Sequence, residues 1–233
     1  MEQLKDFFHD KNVKSILDVG TGTGDFLKVL TEDFPSAAIV GVDPDSKSLE
    51  EAAKKFPEIT FQKMGAEKLL FKANSFDVVS ISMALHHLPK IQKSLKEIKR
   101  VVKPGGWIIV NELFSDNLNP AQEVQKMFHH FRSRVDRILG ICHRETFKKA
   151  EIIQMVKDAG IPIQFYFEHT PNVNMIENKT DLEMWVEKIK QNLERISGLP
   201  DYEILKPKII EFRENAAAHG FQPATRVVIV GKK

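Results

Sequence analysis

The residues best suited to chemistry cluster in one stretch, Ser15 to Asp25, which reads Ser-Ile-Leu-Asp-Val-Gly-Thr-Gly-Thr-Gly-Asp. An apolar run, Ile16 to Val19, breaks at alternating glycines and is followed by Phe26, Leu27, Val29 and Leu30 at helical spacing, the pattern of strand, tight turn and helix. Gly20, Gly22 and Gly24 remove side chains where a backbone must bend sharply and admit a ligand closely, and a helix behind them offers unpaired N–H groups. Such a loop suits a nucleotide-like cofactor. Its spacing, G-x-G-x-G with Asp18 two residues ahead, departs from the dinucleotide fingerprint G-x-G-x-x-G, whose third glycine would fall where Asp25 stands. A carboxylate there repels a pyrophosphate but tolerates a cationic ammonium or sulfonium.

Other polar groups end later apolar runs. Ala38 to Val42 leads into Asp43, about 20 residues past the glycines, where a carboxylate can accept both hydroxyls of a ribose. Asp45 or Ser46 suits the cap of the next helix better than Asp43 does. Ile59-Thr60-Phe61 runs into Gly65-Ala66-Glu67, small residues that let a flat base lie on the backbone, with Leu69 and Phe71 available for apolar contact. Ser75 to Ser82 is apolar in its centre and leads to Met83-Ala84-Leu85-His86-His87. Either histidine could be a base or a substrate contact; neighbours on an extended chain point opposite ways, so no shared metal is expected. Trp107 to Val110 delivers Asn111 and Glu112 to the edge that holds Asp18, Asp43 and Ser82, and ligands of open parallel sheets lie at that carboxyl edge.

The elements that must position these groups alternate. Residues 3–11 read as an amphipathic helix with Leu4, Phe7 and Phe8 inward, and Ser46 to Phe56 as a helix stopped by Pro57. Ile91, Leu95, Ile98, Val101 and Val102 form a helical stripe closed by Pro104-Gly105-Gly106. The strand–helix rhythm breaks after Leu113. Residues 119–140 form a long helix with an apolar stripe (Val124, Met127, Phe128, Phe131, Val135, Ile138, Leu139), while its other sides carry Lys126, His129, His130, Arg132, Arg134 and Arg137 against Glu123 and Asp136. Glu145 to Ala159 reads as a helix and Pro162 to Glu168 as a strand. Thr180 to Glu183 is a capping box opening a helix with Leu182, Trp185, Ile189, Leu193 and Ile196 on one stripe; a helical region broken at Pro207 ends at Gly220, and Thr225 to Val230 is the last strand.

At 233 residues the chain can bury one substantial core with additions. A net charge of +2 gives no reason to expect a polyanion partner, and a single cysteine, Cys142, forms no internal disulfide. The N-terminus does not read as a signal peptide, and no apolar run approaches membrane-spanning length, so a cytoplasmic protein is expected.

Five motifs in order carry a resemblance. ILDVGTGTG, VGVDPD, MGAEKLLF, FDVVSISMALHHL and PGGWIIVNEL resemble the five motifs of the class I S-adenosylmethionine-dependent methyltransferases, in particular the small-molecule branch that includes the ubiquinone and menaquinone C-methyltransferases. The resemblance is close over 14–114 and rests on rhythm alone over 144–170 and 223–233. It implies an α/β, Rossmann-like, seven-stranded, mostly parallel sheet with helices on both faces and helical cap insertions. The domains would be a core at 1–114, a cap insertion at 115–143, core again at 144–170, a second helical insertion at 171–222 and the last strand at 223–233.

It further implies that S-adenosylmethionine, leaving as S-adenosylhomocysteine, is held by Asp18, Gly20, Thr21, Gly22, Thr23, Gly24, Asp43, Pro44, Gly65, Ala66, Glu67, Ser82 and Met83. His86, His87 and Glu112 are the catalytic candidates, as the base that a phenol or carbon acceptor needs and a carboxylate or amine does not. The expected partner is a small-molecule acceptor, with an anionic one suited to the cationic helix at 119–140; no metal is expected, and the oligomeric state stays open. The alternatives are an RNA, DNA or protein methyltransferase, or a cofactor-binding protein without turnover. Enzymes that methylate exocyclic amines of nucleic acids carry Asn/Asp-Pro-Pro-Tyr/Phe where this chain has Ser82-Met83-Ala84-Leu85.

Overall fold

The computed structural model describes residues 1–233. In chain order the elements are α1 (Glu2–Phe8), β1 (Ser15–Val19), α2 (Leu27–Asp33), β2 (Ala38–Asp43), α3 (Ser46–Lys55), β3 (Thr60–Lys63), β4 (Phe76–Ser82), α4 (Ile91–Val101), β5 (Val102–Leu113), α5 (Pro120–Ile138), α6 (Lys149–Asp158), β6 (Ile163–His169), α7 (Lys179–Glu194), α8 (Asp201–Leu205), α9 (Pro207–His219) and β7 (Arg226–Lys232). They form two compact units, Met1–Glu112 with Ala150–His169 and Val227–Lys233, and Leu113–Lys149 with Thr170–Arg226.

The first unit is built on a seven-stranded sheet of order β3-β2-β1-β4-β5-β7-β6. β1 pairs in parallel with β2 and β4, β2 with β3, and β4 with β5. β7 runs against β5: the Gly105 N–H donates to the Lys233 carbonyl and the Lys233 N–H to that of Gly106, both at 3.0 Å. This is the mostly parallel α/β sheet that the sequence predicts. Successive residues of β1, Ile16 and Leu17, are both fully buried, because the two faces of a central parallel strand are both covered. On one face α1 and α2 bring Leu4, Phe8, Leu27 and Leu30 against Ile16, Val78 and Ile109. Phe7 of α1 is half-buried, edge-on to Trp107 at 4.9 Å.

Local chemistry sets the element ends. Asp45 caps α3, accepting from the Lys47 and Ser48 N–H groups. Pro104-Gly105-Gly106 does not close a helix. The chain passes from α4 straight into β5, and the tripeptide is an irregularity inside that strand, where the register to β4 shifts between the Phe76–Val102 and Val78–Trp107 pairs.

The second unit packs α5, α7 and α9 around Phe128, Phe131, Phe212 and Phe221. Phe128 lies edge-on to Trp185 at 5.3 Å, and the Trp185 indole donates to the Met175 carbonyl at 3.1 Å. Asn119 and Gln122 cap α5 reciprocally, with Pro120 in its first turn. The expected box at Thr180 is displaced: α7 is capped by Asn178, which accepts from the Asp181 N–H. Pro207 occupies the first turn of α9, and Gly220, at φ 77°, ends it. The buried side of α5 is wider than its apolar stripe, taking in His129 and Asp136, while Leu139 at the end of the stripe is exposed. Asp136 bridges His143 at 2.6 Å and Arg195 at 2.7 Å. No helix is long and apolar enough to cross a membrane.

Two glycines of the β1 loop separate conformational need from close approach. Gly20 (φ 71°) and Gly22 (φ 51°) are both left-handed, but a Cβ on Gly20 would meet the Ala84 Cβ at 2.7 Å, whereas one on Gly22 would have nothing within 4 Å. Gly22→Ala is expected to cost about 1–2 kcal/mol of stability from backbone strain alone. Gly20→Ala should cost about 2–4 kcal/mol, because overpacking against Ala84 adds to the strain. Urea denaturation of both variants measures the difference; equal losses would show that the Ala84 contact yields freely.

Candidate active site

Register brings five strand ends to one level. Val19 pairs with Val42 and Ile81, Asp43 with Lys63, and Ser82 with Asn111. The groups that follow are therefore neighbours along one sheet edge: Gly20 after β1, Asp43 ending β2, Gly65 after β3, Ser82 and Met83 at β4, and Asn111 and Glu112 within the end of β5.

Beneath the glycine loop lies Asp18, 1 % exposed. Its carboxylate accepts from the Thr21 hydroxyl and, at 2.7 Å, from the Ser80 hydroxyl of β4. Burial pushes its pKa up to about 6 against the pull of those two hydrogen bonds, and the Asp43 carboxylate nearby adds to the rise. Asp18 is thus a brace under the loop. Thr21 is buried with it. Ser80 was not singled out by the sequence pattern, yet its signal is there: a lone hydroxyl in a buried apolar strand needs a partner, and register sets it beside Asp18.

The loop's own N–H groups are largely spent. Those of Gly20 and Thr21 donate to the Val42 carbonyl at 2.8 and 3.1 Å, that of Gly24 to the Thr21 carbonyl, and that of Gly22 to Asp43 Oδ2 at 2.9 Å. α2 behind it has seven residues and no side-chain cap. The loop therefore provides room beside Gly22 and Thr23 rather than the row of donors that a phosphate cradle presents. The loop spends its donors because the chain doubles back onto β2 and uses them there.

Asp43 is half-buried, and its second oxygen accepts from the Asp45 N–H at 2.8 Å. Both oxygens keep further acceptor capacity, since a carboxylate offers about four lone-pair sites. Pro44 follows directly. Next along the edge, the Met64 N–H donates to the Asp43 carbonyl at 3.1 Å, which sets the Gly65-Ala66-Glu67 turn against β2. That turn is braced from α4. Glu97 accepts from the Leu69 N–H at 3.1 Å, and Arg100, paired with Glu97, donates to the Leu69 and Phe71 carbonyls at 2.8 and 2.9 Å. Leu69 is buried, and Phe71 lies edge-on to Phe76 at 5.1 Å.

At β4 the chain turns sharply. Met83 sits at φ 52°, a conformation that costs a non-glycine residue about 1–3 kcal/mol, and its N–H donates to the Asn111 carbonyl at 2.7 Å. Asn111 Nδ2 donates to the Ser82 hydroxyl at 2.9 Å, while Asn111 Oδ1 is buried with no hydrogen-bond partner. Leu85–His87 forms a single 3-10 turn rather than extended chain, so the His86 and His87 rings lie 4.3 Å apart instead of on opposite sides. Glu112, fully buried, accepts from the Leu85 N–H at 2.9 Å, and its other oxygen lies 3.0 Å from His86 Nδ1. His86 and Glu112 are thus a buried pair, and His87 is exposed.

These features fit a cationic adenosyl cofactor. A loop whose donors are largely spent leaves an open niche at Gly22, carboxylates at Asp18 and Asp43 lie near it, and an unfilled acceptor at Asn111 lies on the same edge. Residues 17–110 match the methyltransferase domain family. In sequence the chain is similar to enzymes named as quinone methyltransferases. The chain is 34% identical over 134 residues to the demethylmenaquinone methyltransferase of Chlorobaculum parvum, covering 57% of this chain and 54% of that one. It thus spans about half the length of the curated relatives it matches. In fold it is similar to a provisionally assigned methyltransferase from Bacillus halodurans (TM-score 0.67, 20% identity, 100% of this chain and 97% of that one). It is also similar to a SAM-dependent methyltransferase from Methanosarcina mazei (TM-score 0.60, 17% identity, 97% and 96%).

The buried Asp18 makes stability depend on pH in a defined direction. Its raised pKa means that the folded chain holds the proton more tightly than the unfolded chain. The resulting stabilisation is complete below about pH 4 and is lost as pH rises through about 6, by up to about 3 kcal/mol. Asp18→Asn should remove that slope. Urea unfolding of both proteins between pH 4 and 7.5 measures it; parallel profiles would mean that Asp18 is not the titrating group.

Proposed function

We propose that this chain transfers the methyl group of S-adenosylmethionine to a small-molecule acceptor. The observation that carries the reading is the aligned edge of β1, β2 and β3, where a donor-poor glycine loop, an acid and a small-residue turn adjoin. Gly20, Gly22, Gly24 and Thr23 would border the methionine portion, with Asp18 and Thr21 holding the loop. Asp43 would accept the ribose hydroxyls beside Pro44, Gly65, Ala66 and Glu67 would meet the adenine, and Ser82 and Met83 would close the edge. The bound sulfonium supplies an electrophilic methyl group. The protein's share is to orient the reactants and keep water out, which together can lower the barrier by roughly 7–11 kcal/mol.

His86 is the base in this reading for an acceptor that must lose a proton. Glu112 positions it: a carboxylate at 3.0 Å from Nδ1 orients the ring and sets its tautomer. The relative from Chlorobaculum parvum is named for demethylmenaquinone, so a demethylated quinol is the first acceptor to test. An anionic acceptor gains little from three of the α5 cations, which are paired: Lys126 with Glu123, Arg134 with Asp201 and Arg137 with Glu145.

Asp43→Ala should weaken S-adenosylhomocysteine binding by about 100-fold or more, since each of the two hydrogen bonds to a charged group contributes about 1.5–3 kcal/mol. Calorimetry that finds wild-type affinity removes Asp43 from the ribose site. His86→Ala should lower kcat on the quinol about 100-fold while homocysteine-product affinity holds, and Glu112→Gln should shift the pH–rate profile. A kcat within threefold of wild type in both variants would show that no base acts there.

A further inference from the structure

The helical unit contains a cleft of about 260 Å³ that the methyl-transfer reading does not use, set between α5, α7 and the start of α9. Its floor is Phe131, Ile189 and Phe212, all buried, and Met127 and His130 form one wall. Arg134 and Lys208 stand at the rim.

We propose that this cleft binds an uncharged, bicyclic aromatic molecule bearing one hydrogen-bond-accepting oxygen. Size, lining and charge each point to that class. A cavity of about 150 Å³ holds a benzene ring, so one under twice that volume accommodates two fused rings. The lining is made of groups that favour aromatic faces: two phenyl rings, a thioether and a guanidinium.

The charges at the rim are balanced. Arg134 donates to Asp201 at 3.0 Å and Lys208 to Glu211 at 2.6 Å, and His130, whose pKa burial lowers, has Glu145 3.7 Å from Nδ1. An anion entering there would meet the acids as well as the bases, so charge gives it no advantage. A carbonyl or phenol oxygen can still take an N–H from Arg134, whose bond to Asp201 engages one of five donors.

The test uses the full chain at pH 7 with 2-naphthol as the uncharged probe and 2-naphthoate as its anionic counterpart. Calorimetry should give saturable binding of naphthol below about 100 μM and at least fivefold weaker binding of naphthoate. Methyl-labelled methionine spectra should show the Met127 signal moving on naphthol addition while that of Met64, on the sheet unit, stays in place. Met127→Trp, which fills the cleft, should weaken naphthol at least tenfold at an unchanged Tm. Absence of saturable naphthol binding, naphthoate binding as tightly, or an unmoved Met127 signal each overturns the proposal. The methionine spectra decide the location even where the tryptophan variant fails to fold.

Discussion

The site depends on one buried carboxylate. Asp18 lies in the middle of the sheet with hydroxyls from Thr21 and Ser80 as its partners, so it ties the glycine loop to the neighbouring strand. Burying a carboxylate is costly, and the rise of its pKa to about 6 expresses that cost. What it secures is position. A Cβ on Gly20 would lie only 2.7 Å from that of Ala84, and a loop packed so closely needs a strong, short-range tether beneath it. A neutral amide could accept one of those hydroxyls and would then have to place its own N–H groups in the same apolar surroundings.

The same economy of hydrogen bonds decides what kind of ligand the loop can serve. Gly-rich loops that bind phosphates do so with free N–H groups aimed at the ligand. Here Gly20, Thr21, Gly22 and Gly24 have donated theirs to Val42, Asp43 and Thr21, and the carboxylates of Asp18 and Asp43 lie beside the loop, with one ammonium, Lys55, tied to the Thr23 carbonyl at 3.0 Å. The loop's shape is that of a nucleotide-binding turn, but its electrostatics suit a cation. That distinction, more than the glycines, separates an adenosyl sulfonium from a dinucleotide.

Most of the sheet and its functional edge were legible in the sequence, because central parallel strands are continuous apolar runs and their ends are marked by polar or small residues. Asp43, Gly65 and Ser82 could be placed on one edge from that punctuation alone. The parts that were not legible depend on tertiary partners. Capping strength at Thr180 and Asn178 is similar locally, and packing of Trp185 and Met175 sets where α7 begins. Pro104-Gly105-Gly106 has the composition of a helix stop, yet β7 supplies hydrogen bonds that draw it into a strand. His129 and Asp136 look like solvent-facing residues on α5 until His143 and Arg195 are seen to bury them.

Glu112 and His86 show what burial and partners add to residue type. Both were candidates for a base, but a carboxylate with no exposure, one oxygen on a backbone N–H and the other on an imidazole, is committed to holding its neighbours. It holds the turn after β4 and the His86 ring together, so a change at the glutamate reaches both at once. Removing it would take the acceptor from the buried Leu85 N–H and one partner from the imidazole, which is why Glu112 counts as a tie within the structure whatever acceptor the protein serves.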